Sequence, residues 1–168
     1  MKALLNIIRD RLKADSSLSY LRWVEVLDDE DILPDGFDFP GVALKDRGLN
    51  PTAQYLHGSL NEIDEELTAR VFPCVILLRG LGAGVMGDAS LGNPGKGVLD
   101  IGADLRTSLR FDSHVAASAY KTSLQNAGYL GLKKPIESPS LTLVSPDGDR
   151  LVQRQFYDYT YLRRRAES

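Results

Sequence analysis

The stretch VLDIGADLRTSLRF, residues 98–111, carries the clearest periodicity in the chain. Leu99, Ile101, Ala103, Leu105, Thr107, Leu109 and Phe111 alternate with Asp100, Gly102, Asp104, Arg106, Ser108 and Arg110. Successive side chains of a strand point to opposite faces, so apolar residues at every second position predict a half-buried β-strand. At about 3.3 Å per residue such a strand would span roughly 45 Å, long against the usual length of about 5–6 residues. One face would meet the core, and the other, bearing Asp100, Asp104, Arg106 and Arg110, would meet water or another subunit.

Working outward, residues 80–97 read GLGAGVMGDASLGNPGKG, with seven glycines and one proline. This is a long loop between two expected strands, where ordered connections are usually about 4–6 residues. Before it, VFPCVILLR (71–79) is the most apolar run and predicts a central strand with Pro73 near its start. After it, Asp112-Ser113 supplies an N-cap for a helix over 114–127, and Gly128 a stop.

At the N-terminal side, Leu4, Leu5, Ile8 and Leu12 make an apolar stripe at helical spacing over 2–14. LRWVEVL (21–27) predicts a short strand and GVALKDRG (41–48) a strand and turn. The acidic stretch 28–39, DDEDILPDGFDF, reads as a solvated loop and lacks the register of a calcium-binding EF-hand. NEIDEELTAR (61–70) predicts a short helix, because Ile63 and Leu67 are four apart. At the C-terminal side, KKPIESP (133–139) is a linker. LTLVS, PDGD and RLVQRQFYDYTYL form a hairpin turning at Asp147-Gly148, and a basic tail follows over 163–168. The fold class expected is α+β: one domain over 1–168, a mostly antiparallel sheet of about 4–6 strands, two main helices and long loops.

The chain has 168 residues, 43% hydrophobic and 26% charged, with net charge −3. These are values of a globular domain and give no general nucleic-acid-binding surface. No apolar run approaches the ~18 residues of a membrane span. The lone Cys74 has no intrachain partner and reads as a small buried hydrophobe.

The motifs that carry chemistry fail on their contexts. Gly82-Ala83-Gly84-Val85-Met86-Gly87 matches G-x-G-x-x-G with Asp104 downstream. A dinucleotide site needs a helix opening at that loop, and Asn93-Pro94-Gly95 prevents one there. A P-loop would need Ser or Thr at Gly97. His57 and His114 sit in no recognisable triad, and with Cys74 they are too scattered for zinc. No catalytic residue, cofactor or metal is therefore expected.

The order of elements resembles that of bacteriophage tail terminator and tail-completion proteins, the head–tail joining family. The resemblance rests on the N-terminal helix leading into RWVEVL, the strand FPCVILLRG, DIGADLRTSLRFDS running into HVAASAYKTSLQNA, and the closing strand QRQFYDYTYL. It implies a non-enzymatic virion protein, assembled in the bacterial host cytoplasm. Six copies would form a ring that caps the tail tube and joins it to the head. Its partners would be itself, the tail tube protein and head–tail connector proteins, with no membrane and no specific nucleic acid, DNA merely passing through the ring. Asp100, Asp104, Arg106 and Arg110 would form the interface between copies. Gly82, Gly84, Met86, Asp88 and Lys96 would lie on a partner-facing loop. Two alternatives stand beside it: another phage assembly factor or minor tail protein of similar fold, and a small-molecule-binding protein or enzyme using the Gly-rich loop.

Overall fold

A computed structural model describes residues 1–30, 33, 38–55, 62–77, 83–88, 91, 94–111, 118–139, 141–144 and 151–164. Its centre is a 16-residue strand, β3 (Glu62–Leu77), flanked along its length by β2 (Gly41–Tyr55), which runs antiparallel to it. Outside β2 lies the parallel strand β1 (Trp23–Val26). On the other side of β3 come β7 (Leu151–Arg154) and β8 (Tyr157–Arg163). β6 (Leu141–Val144) pairs with β7, and β4 (Tyr129–Leu132) and β5 (Ile136–Glu137) pair with β8. All eight strands belong to one mixed, mostly antiparallel sheet. Helices α1 (Lys2–Ala14), α2 (Ala83–Met86), α3 (Val98–Ser108) and α4 (Ala119–Asn126) complete an α+β fold.

The alternation along β3 divides the core in two. Leu67, Ala69, Val71 and Val75 face the cluster that also holds Val42, Leu44, Tyr157, Tyr159 and Tyr161. Leu4, Leu5, Ile8 and Leu12 of α1, Ile101 and Leu105 of α3, and Tyr120 and Leu124 of α4 cover that face. Phe72 and Cys74 point the other way, into a smaller cluster with Trp23, Leu27, Leu33, Ala43, Val152 and Phe156. The alternating tyrosines of β8 thus belong to the core. Tyr120 and Tyr161 share a hydroxyl–hydroxyl bond of 3.0 Å.

The stretch 98–111 is not a strand. Its residues 98–108 form α3, and the buried positions are Val98, Ile101, Gly102, Leu105, Ser108 and Leu109, a 3–4 spacing. Leu99, which the strand reading placed inside, is 41% exposed, and Ala103 and Thr107 are exposed too. Ile101, Leu105 and Leu109 satisfy both periods, because residues four apart share a face in a helix and in a strand. Gly102 settles the matter: a Cβ there would lie 2.0 Å from the Tyr157 hydroxyl. The glycine costs a helix about 1 kcal/mol in propensity but lets α3 close on β8. Val98, Ile101, Leu105 and Leu109 are fully buried, each worth about 1.5–3 kcal/mol.

The converse error falls on 61–70. Ile63 and Leu67 lie on one face of β3, not on a helix. Pro73 is not near a strand start but inside β3, opposite Val42. On its other side β3 pairs with β8 over Glu65–Val71 and with β7 over Cys74–Leu77, in one unbroken register. The gap between them falls at Phe72-Pro73, where the proline has no N–H to give. Other expectations shift less. The hairpin of β6 and β7 forms, its turn lying outside the described residues. The helix after 111 is capped by Ser118, whose side chain accepts from the Lys121 amide; Asp112, Ser113 and His114 lie outside the described residues. The linker 133–139 contains β5. Arg163 is no part of a frayed tail: it ends β8 and pairs with Glu65.

The described residues of the acidic stretch are held down rather than wholly solvated. Leu33 is 3% exposed, and the Trp23 indole N–H donates to the Asp38 carbonyl at 2.6 Å. Glu30 accepts from Arg70, whose guanidinium also makes a two-pronged contact to Asp158 at 2.8 and 3.1 Å. That guanidinium lies 4.4 Å from the Phe156 ring centroid.

Leu105 and Leu99 distinguish the two periods by experiment. Leu105→Ala empties a fully buried site and is expected to cost about 2–5 kcal/mol, whereas Leu99→Ala, at an exposed site, is expected to stay within about 0.5 kcal/mol. Urea midpoints measure both, and comparable losses would restore the strand reading.

Candidate interaction surface

Helix α3 turns Leu99, Asp100, Ala103, Arg106, Thr107 and Arg110 outward at its exposed edge and just beyond its C-terminus. All four charged residues expected at an interface, Asp100, Asp104, Arg106 and Arg110, have interactions within the chain. Asp100 Oδ2 accepts the Gly97 amide at 3.0 Å and so caps the first turn of α3. Arg106 pairs with Glu137 of β5, tying the helix to the sheet edge. Asp104 is half-buried, and its Oδ2 receives both the Tyr20 hydroxyl at 2.6 Å and the Lys96 ammonium at 2.5 Å. Lys96 also sits 4.7 Å from the Tyr20 ring centroid. Arg110 is exposed.

The loop expected to face a partner is joined to this helix. Lys96–Asp104 is the link, so two groups of residues read separately in the sequence form one surface. Within the loop, Val85 and Gly87 press against Gly97: a Cβ on Gly97 would lie 2.5 Å from the Val85 carbonyl and from the Gly87 amide. Gly87 has φ +83°, a backbone that side chains rarely adopt. Gly84 is buried in α2, Met86 is 71% exposed, and Asp88 is exposed; Gly82 lies outside the described residues. Met86 and Leu99 therefore flank one tight junction between α2 and α3.

Sequence reasoning missed Tyr20, Glu137 and the apolar members Leu99 and Ile136, the last 69% exposed. A helical reading of 98–108 would have put Leu99 outside; nothing local marks Tyr20 as a partner 84 residues from Asp104. Burial, and then the hydrogen bond to Asp104, push the Tyr20 phenol far above the ordinary tyrosine range. At neutral pH it is a neutral donor. The arrangement is a fastening: one carboxylate oxygen holds the loop by Lys96 and the segment before β1 by Tyr20.

Elsewhere, Cys74 is fully buried, and burial pushes its thiol up to about 12, against the opposing pull of Arg154. At neutral pH it is no nucleophile. Among the described residues no group of three or more His, Cys, Asp or Glu could hold a metal ion. His57 and His114 lie outside the described residues. Trp23 packs edge-on to Phe39, ring centroids 6.1 Å apart, in the smaller core. No protein-family model matches the chain, and no curated protein matches it.

The fastening is testable by a double-mutant cycle. Lys96→Met and Tyr20→Phe each remove one donor, and each is expected to cost about 0.5–1.5 kcal/mol. Asp104→Ala is expected to cost about as much as both together, and to raise proteolysis within 80–97 more than Tyr20→Phe does. A strictly additive cycle in the Asp104→Ala background would show that the contacts contribute nothing.

Proposed function

We propose that this chain is a non-enzymatic phage structural protein, a tail terminator or neck component that forms a ring capping the tail tube and joining it to the head. The observation that carries the reading is the arm built by β2 and β3. Beyond Leu44, β2 has β3 as its only strand partner, and residues 62–64 of β3 have β2 alone, among the described residues. The pair stands alone only at residues 62–64 of β3, since β8 flanks it from Glu65 on; what it offers a neighbour is the outer edge of β2 beyond Leu44. In a ring it reaches the next copy or the tube. Two irregularities bend it: one between Asp46 and Leu49, where Asp46 Oδ1 accepts the Gly48 amide at 2.7 Å, and one between Pro51 and Gln54. Such bulges twist an edge away from indiscriminate pairing, as suits an arm with one intended partner.

The reading is also supported by the exposed apolar residues on the α2–α3 surface, where charged groups lie beside them. Patches of this composition are usual at protein interfaces. The chain would then work by assembly, with itself as first partner and the tube and connector proteins as the next.

Light scattering across a concentration series is the first test. A hexamer, or a monomer that becomes hexameric as concentration rises, is the expected result. Shortening 84–96 to a tight turn is expected to leave folding intact and abolish tail completion in a phage assembly assay. Completed tails from the shortened protein would overturn the assignment of that loop.

A further inference from the structure

The exposed positions of α3 and its C-terminal flank are Leu99, Asp100, Ala103, Arg106, Thr107 and Arg110. At ~100° per residue they fall within roughly 120° of the helix circumference, as one stripe with Ala103 at its middle. The charges along it are ordered. Asp100 stands a turn before Ala103 and Arg106 a turn after it, with Arg110 beyond. Both Asp100 and Arg106 stay exposed while engaged within the chain, Asp100 giving Oδ2 to the Gly97 amide and Arg106 giving Nη2 to Glu137. A carboxylate has a second oxygen and a guanidinium has several N–H groups, so each keeps bonding capacity toward the outside. Lys96 and Asp104, at the border of the stripe, neutralise each other at 2.5 Å.

We infer that this face of α3 packs antiparallel against the same face of α3 in a second copy of the chain, about a two-fold axis at Ala103. In such a contact each residue meets its symmetry mate. Residues 99 and 100 of one chain come level with 107 and 106 of the other. Asp100 therefore meets Arg106 twice, once on each side of the axis. Leu99 lies along the aliphatic stem of Arg106, which carries the guanidinium across to Asp100. Ala103 meets Ala103, and side chains this small let the two helices approach closely.

The order of the charges selects a second copy. A stripe acidic toward one end and basic toward the other is its own complement once reversed. A parallel arrangement sets Asp100 on Asp100, and a polyanion or a basic peptide is repelled by one half of the stripe. The 11 residues of α3 span about 16 Å and offer less than the roughly 800 Å² per partner of a standard interface. The contact is therefore weak between free chains and strengthens between chains already held close in an assembly. It goes beyond the ring reading, whose contacts are heterologous, and does not rest on it.

Ala103→Cys puts a thiol on the axis, at an exposed position, while Cys74 is fully buried and does not compete. Under mild oxidation the full chain is expected to form a covalent dimer about tenfold faster than Gln125→Cys, an exposed site on α4, and more slowly as salt rises. Adding Asp100→Arg or Arg106→Asp to Ala103→Cys is expected to slow it about tenfold, because the two-fold repeats every charge pair. Mixing those two variants restores the rate, since each then meets its opposite. If Asp100→Arg does not fold, because that carboxylate caps α3, Leu99→Arg replaces it at an exposed site level with Arg106 of the other chain. Ala103→Cys dimers no faster than those of Gln125→Cys overturn the inference. So do charge reversals that leave the rate unchanged, or a mixture that fails to recover it. Hexamers or completed tails alongside any of these results leave the ring reading standing and this contact wrong.

Discussion

Everything in this fold depends on the register of β3. Its alternate side chains are committed to two cores of different composition: Leu67, Ala69, Val71 and Val75 to the helices, Phe72 and Cys74 to the cluster around Trp23. A slip of one residue would exchange the two sets and drive Arg70 under α1. Arg70 itself guards against this. Its guanidinium finds Asp158 on the neighbouring strand and Glu30 from the stretch after β1, with a phenylalanine face beneath it. Removing a charged partner there leaves the other buried, so the pair specifies the arrangement more than it stabilises it.

The helices add a second constraint through Gly102 and Tyr157. Only a residue without a Cβ lets α3 descend onto β8, and that depth sets where Asp104 can meet Lys96 and Tyr20. The surface formed by α2 and α3 is thus placed by the core beneath it. Its polar contacts hold the loop against the helix, while Met86 and Leu99 are left outside.

How much of this was legible depended on which spacing a segment offered. The α1 stripe was unambiguous because Leu4, Leu5, Ile8 and Leu12 combine steps of one, three and four, which no strand face reproduces. Residues 61–70 and 98–111 were misread in opposite directions for one reason: apolar residues four apart fit both periods. A mid-segment glycine was the overlooked clue in the second case. Length alone would not have decided it, since β2 and β3 are 15 and 16 residues long, but Gly102 has no purpose in a strand. The charged residues at 100, 104 and 106 were visible, and the loop before them was visible, but their junction was not. It rests on Tyr20, Gly97 and Glu137, whose partners are fixed by tertiary approach and leave no local trace.

The interruption at Pro73 has a consequence for synthesis. The β2–β3 hairpin is local and can form as soon as residue 77 is available, yet the other edge of β3 waits for residues 151–163. During the intervening translation that edge is unsatisfied, a state prone to pairing with another nascent chain. Pro73 breaks the row of donors in the middle of the waiting edge, beside the apolar Phe72. The same residue that divides β7 from β8 in the finished sheet thereby blunts the half-made one.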